Sequence, residues 1–103
     1  MRSSVVVTYT LKPEAYAEHV RLISEVFAQL GKERPETVDY QVMCLADGVS
    51  FVHVSTHESD DGASPLTGLT AFQEFGRDLG ARVATPPTPS AATVIGEYRG
   101  LSD

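Results

Sequence analysis

A chain of 103 residues has room for one domain with a modest core and not for two. Its 14 acidic against 8 basic residues give a formal net charge of -6 and a pI near 4.9, opposite to the electrostatic footprint of a nucleic-acid binder, so no DNA or RNA partner is expected. The sole cysteine, Cys44, excludes an intrachain disulfide framework, and the apolar run Val5-Val6-Val7 is too short for a signal-peptide core or a membrane span; a soluble, cytoplasmic chain without membrane contact is expected.

In chain order, Ser4 to Leu11 is rich in valine, threonine and tyrosine, which favour a pleated strand, and it stops at Lys12-Pro13. Pro13 suits a first helical turn, Glu14 suits the positive end of the helix dipole, and Gly31 is placed to close the helix, so a helix is predicted from Pro13 to about Leu30. Tyr16, Val20, Ile23, Phe27 and Leu30 recur at three- and four-residue steps and make the expected sheet-facing stripe.

The stretch Tyr40 to His57, YQVMCLADGVSFVHVSTH, carries two strand-like runs around Asp47-Gly48, a dipeptide that accepts the positive φ angles of a type I′ turn. A hairpin is predicted, with arms Val38 to Ala46 and Val49 to His57. Glu58 to Ala63 then reads as an acidic loop. Ser64-Pro65 resembles a helix cap and first turn, and Leu69, Phe72, Phe75, Leu79 and Val83 continue at helical spacing as a second helix. The three prolines of Thr85 to Ser90, TPPTPS, argue against helix or ladder pairing, so an extended loop is expected there and a last strand from about Ala91 to Arg99.

The order β-α-β-β-α-β predicts an α+β, ferredoxin-like fold: a four-stranded antiparallel sheet with both helices on one face. Valines point to both sides in Val5-Val6-Val7, and Phe51, Val52 and Val54 with Val94 and Ile95 repeat the pattern, so the second face also needs cover. The simplest cover is the same sheet from a second copy, and a homodimer is expected.

This order and texture, with YTLKPEAYAEHVRLISEVFAQL and DGVSFVHVSTHE as the most family-like runs, resembles the dimeric α/β-barrel superfamily, in particular antibiotic biosynthesis monooxygenase-like proteins. The resemblance covers nearly the whole chain. It implies a single dimeric α/β-barrel domain over 1–103, a pocket between each sheet and its own helices, and hydrophobic or phenolic ring compounds as ligands, with no cofactor. The chain departs from the pattern in having no tryptophan and no asparagine, residues that quinone-forming and haem-degrading members typically use.

His53 is the candidate catalytic residue. The strand period of two puts Phe51, His53, Ser55 and His57 on one face and Val52, Val54 and Thr56 on the other; the first face suits a cavity or dimer seam and the second suits core packing. A neutral imidazole can take a proton from a phenol or an activated C–H, leaving a carbanion able to react with oxygen without a cofactor. Tyr9, Tyr40, Phe51 and Ser55 are the candidate substrate-binding residues, with Tyr16 and Tyr98 as further aromatics. The alternative for all of them is ordinary packing. Arg82 and Arg99 could hold an anion or oxyanion, but the expected role of each is a surface ion pair or a helix-terminus charge.

No metal is expected: His53 and His57 stand about 13 Å apart on a regular strand, too far to share one ion, and ESDDGA lacks the spaced ligands of a calcium loop. Cys44 has no base near it in sequence and reads as a buried structural thiol. Two functions survive. One is a small cofactor-independent monooxygenase-like enzyme acting on a hydrophobic ring compound, which predicts a cavity of roughly 300 Å³ or more beside His53. The other is a noncatalytic barrel that binds a small molecule or plays a structural part.

Overall fold

The computed structural model describes residues 2–58, 65–98 and 100. Strand β1 (Arg2–Leu11) leads through a short 3-10 turn, Pro13–Ala15, into helix α1 (Tyr16–Glu33). The hairpin β2 (Val38–Cys44) and β3 (Ser50–Glu58) follows, then a 3-10 turn at Pro65–Gly68, the helices α2 (Thr70–Arg77) and α3 (Leu79–Arg82), and strand β4 (Val83–Ala92). The sheet order is β2-β3-β1-β4 and each neighbouring pair is antiparallel, which is the ferredoxin-like arrangement.

Where the elements differ from the sequence reading, local chemistry explains the difference. The last strand lies earlier than expected, because TPPTPS belongs to it. β4 is an edge strand, where a missing N–H costs no internal ladder bond. Pro86 and Pro87 fall in the bulge between the Thr8–Thr88 and Thr10–Thr85 pairs, and Pro89 stands opposite Val7. The hydroxyl of Thr85 accepts from the Thr10 amide at 3.0 Å and so repairs the ladder at the irregularity. Val94 and Ile95, placed by the sequence in that strand, lie beyond it and are exposed. Arg99, Ser64 and all of the acidic loop except Glu58 fall outside the described residues.

Gly31 does not close α1. The helix runs on to Glu33, and Arg34 takes the left-handed position at φ 50, donating its amide to the Leu30 carbonyl at 2.8 Å. Nor is the hairpin turn type I′, since only Gly48 has positive φ; its amide bonds the Leu45 carbonyl, and the Asp47 carboxylate accepts from the amides of Val49 and Ser50. The second helical run is broken at Asp78, whose φ of -115 interrupts the spiral, and Val83 starts β4 instead of ending a helix.

The core lies between one face of the sheet and the helices. Tyr9, Leu11, Phe51 and Val83 form one buried cluster and Leu22, Val26 and Phe75 another, with Ile23 and Leu79 packed against both. The buried line of α1 is therefore His19, Leu22 and Val26. Of the stripe expected from sequence, Ile23 and Leu30 are half-buried, while Tyr16, Val20 and Phe27 lie at its exposed margin. Phe27 still stacks on Tyr40, with ring centroids 5.2 Å apart and planes at 8°, so the margin covers the hairpin.

Register decides which side chains meet. Val7 pairs with His53 and Val42 with His53 on the other side, so alternation sends Val5, Val7 and Tyr9, Tyr40 and Val42, and Phe51, His53 and Ser55 to the helix face. The aliphatic set Val52 and Val54 faces away from the helices, together with Val6, Thr8 and Met43. Among the described residues, valine there joins neither buried cluster, whereas the mixed aromatic and polar face of β3 does. Cys44, expected to be buried, is exposed at the hairpin end of β2.

Candidate active site

Between the sheet and the helices five polar side chains join in one hydrogen-bonded array, four of them buried and Tyr40 half-buried. Tyr9 is 5% exposed, and its hydroxyl lies 2.6 Å from Nε2 of His53 and 2.6 Å from Nε2 of His19. Nδ1 of His53 is 2.6 Å from the hydroxyl of Tyr40. At the far end Arg82 donates from Nε to Nδ1 of His19 at 3.1 Å and from a terminal nitrogen to the Phe75 carbonyl at 2.5 Å. That carbonyl belongs to the last turn of α2, where backbone acceptors have no helical partner, and α3 carries Arg82 back to it.

Burial tunes the two imidazoles and the two tyrosine hydroxyls. Desolvation first, then the charge of Arg82 and the neighbouring His53, pulls His19 down to about 4, and desolvation alone pulls His53 down to about 4. Both imidazoles are neutral at pH 7. Burial raises the Tyr9 and Tyr40 hydroxyls above the ordinary tyrosine value, so neither is a phenolate. Arg82 is 7% exposed, and its guanidinium lies 5.3 Å from the centre of the Phe75 ring. Among the described residues it forms no ion pair with a carboxylate. The surface ion pair suggested for Arg82 is therefore incorrect, while its place at a helix end is as read: it is an interior cation in the last turn of α3, held by an imidazole, a carbonyl at the end of α2 and a ring.

A cavity of about 240 Å³ opens beside this array. Val5, Val7 and Tyr9 of β1, Tyr40 of β2 and His53 and Ser55 of β3 form its sheet wall, and Leu66, Phe72, Phe75 and Leu79 form the helical wall. Its volume lies slightly under the usual lower range for small-molecule sites, roughly 300 Å³, and its walls are apolar except at the Tyr–His array and Ser55. A wider groove of about 540 Å³ lies on the other side of the sheet, where Gln41, Val54 and Thr56 meet Glu97 and Tyr98.

Of the residues singled out by sequence, His53, Tyr9, Tyr40 and Ser55 converge on the cavity. Phe51 does not line it: it stands behind Tyr9, the rings stacked at 5.7 Å and 3°, and supports the array from within the core. Tyr98 is 92% exposed and takes no part in the site. His19, fully buried, was missed although its spacing to Leu22 and Val26 marks it as a core-facing helical position. No group of metal-ligating side chains lies together among the described residues.

No family model matches the chain, and no curated protein matches it. Solved structures do. Rv0793 from Mycobacterium tuberculosis superposes with a TM-score of 0.76 at 15% identity, over 96% of this chain and 100% of that one. A crystal structure described as an antibiotic biosynthesis monooxygenase gives 0.74 at 15% identity, over 93% and 100%. A variant of SnoaB, a cofactor-independent oxygenase from Streptomyces nogalater, gives 0.68 at 16% identity, over 93% and 95%. The chain thus shares the antibiotic biosynthesis monooxygenase-like ferredoxin fold; at these identities the likeness establishes the fold alone.

Proposed function

We propose that this chain is a single-domain, cofactor-independent monooxygenase-like enzyme that binds a hydrophobic or phenolic compound of one or two rings between its sheet and helices. The observation that carries the reading is His53, held at 2.6 Å on each ring nitrogen by Tyr9 and Tyr40 at the polar end of an otherwise apolar cavity. A ring fits the apolar walls, and its oxygen or acidic C–H falls against the tyrosines. Because both nitrogens of His53 are engaged, it acts on the ligand through Tyr40: the ring compound enters as an anion that has already lost its proton to water, and the Tyr40 hydroxyl donates to its oxygen and holds that charge when molecular oxygen attacks. The shared fold of a cofactor-independent oxygenase supports this reading.

The chain works as a homodimer in the cytoplasm. Support for the dimer comes from the uncovered sheet face, where Val6, Val52 and Val54 stay half-exposed, and from Val94 and Ile95 beyond it, at 54% and 94% exposure. A second sheet on that face would close a barrel and leave the ligand cavities on the outer, helical sides. No helix among the described residues is long and apolar enough to cross a membrane.

The test is oxygen uptake by the purified protein against a panel of mono- and bicyclic phenols, with His53→Ala beside it. Turnover that falls at least about 100-fold in the variant, with the dimer retained, is the expected result; equal turnover removes His53 from the mechanism. A noncatalytic small-molecule binder is the second reading, favoured by the small cavity volume, and saturable binding without oxygen uptake across the panel would establish it over the enzyme.

A further inference from the structure

Hydrogen-bond direction along the buried array follows from one residue that cannot accept. A guanidinium only donates, so Nδ1 of His19, 3.1 Å from Nε of Arg82, must present its lone pair. Neutral His19 then carries its proton on Nε2 and donates it to the Tyr9 oxygen. The Tyr9 hydroxyl hydrogen has Nε2 of His53 to receive it; were both imidazoles to donate to Tyr9, that hydrogen would be buried without an acceptor in the array. With its Nε2 accepting, neutral His53 holds its proton on Nδ1 and donates to the Tyr40 oxygen. Every link points the same way, and the last hydrogen, that of the Tyr40 hydroxyl, is left over at the cavity wall.

We propose that Arg82 and His19 are positioning residues that lock the array in this direction, so that Tyr40 presents a proton to the cavity and the site takes ring compounds through an acceptor oxygen, as in a cyclic ketone, a quinone or a phenolate. The ligand half rests on the cavity being a binding site, as above; the lock does not. The charge of Arg82 polarises each successive donor, so the array strengthens the hydrogen bond it offers at Tyr40. In this state His53 has no lone pair facing the ligand. Neither Arg82 nor His19 touches the cavity, and both act through Tyr9 and His53.

The lock is tested by long-range proton–nitrogen NMR of histidine-labelled protein at pH 7. His19 is expected as the Nε2–H tautomer and His53 as Nδ1–H, the less common form of a free imidazole; His53 with its proton on Nε2 overturns the proposal. Arg82→Met should shift His53 toward a mixture of tautomers and Arg82→Lys, which keeps a donor, should retain Nδ1–H. An unchanged His53 in a folded Arg82→Met variant also overturns the lock, and if that variant does not fold, the wild-type tautomers decide. The ligand half is tested by titrating wild type and Tyr40→Phe with 1-tetralone and with the hydrocarbon tetralin. The ketone should bind about 5- to 10-fold more weakly to Tyr40→Phe while tetralin is unaffected. Equal losses, or none, overturn the acceptor-oxygen claim. Binding of neither probe to wild type overturns it together with the cavity reading, whereas wrong tautomers alone leave the oxygen-uptake test standing.

Discussion

The two faces of β3 lie back to back in one strand and do opposite things with opposite chemistry. On the helix face, Phe51 and His53 are buried, and the imidazole is tied at both nitrogens. On the other face, Val52 and Val54 are only half-buried, although they are the more apolar pair. Burial in this molecule follows from where the helices fall, and the polar groups taken inside are kept there by pairing with one another. The aliphatic face stays half-exposed. That contrast separates what holds one chain together from what would hold two.

Acid should break the covered face hardest. His19 and His53 sit near 4 in the folded chain and would titrate near 6.5 unfolded, so between those values the unfolded state binds more protons. Stability is therefore full above about pH 6.5, declines as pH falls toward 4, and levels off below, by up to about 3 kcal/mol for each histidine. Urea unfolding at steps between pH 7 and pH 4 measures it. Tyr9→Phe comes next: it removes the hydroxyl shared by two imidazoles and leaves a buried N–H and a buried lone pair unpaired, at about 2 kcal/mol in the same assay.

On the open face the expectation reverses. Val54→Lys should change unfolding of the isolated chain by less than about 0.5 kcal/mol, yet shift sedimentation from dimer to monomer. A large loss of chain stability with the dimer intact would mean that this face packs against its own chain. The last effect belongs to neither face and leaves assembly unchanged. Arg34→Gly relieves the left-handed backbone that ends α1 and should stabilise the chain by about 0.5–1 kcal/mol.

Much of this contrast was legible in the sequence. Alternation along Tyr40 to His57 placed Phe51, His53 and Ser55 together and Val52 and Val54 apart from them; Tyr9 and Tyr40 were named only as aromatics able to line a pocket, and it is the strand register that brings them to the same face. What alternation cannot say is which face the helices cover, and here the apolar face proved the uncovered one. His19 escaped because the stripe was drawn through Tyr16, Val20 and Phe27, while the helix turns its Leu22 and Val26 side inward. Arg82 escaped because a charge near a helix end is usually solvated, and only the break at Asp78 folds it back over Phe75. The edge strand escaped because prolines break a central ladder but are tolerated at a bulge on an edge.

The most direct test is a proton NMR titration of the histidine ring signals from pH 8 downward. A buried, neutral His19–Tyr9–His53 array predicts that His19 and His53 keep their neutral shifts through pH 6 and change only as the pH approaches 4 or the chain unfolds. Reversible titration of either in the folded protein near pH 6.5 would mean that the ring is open to water and free of the array, and the account of the site would fail with it.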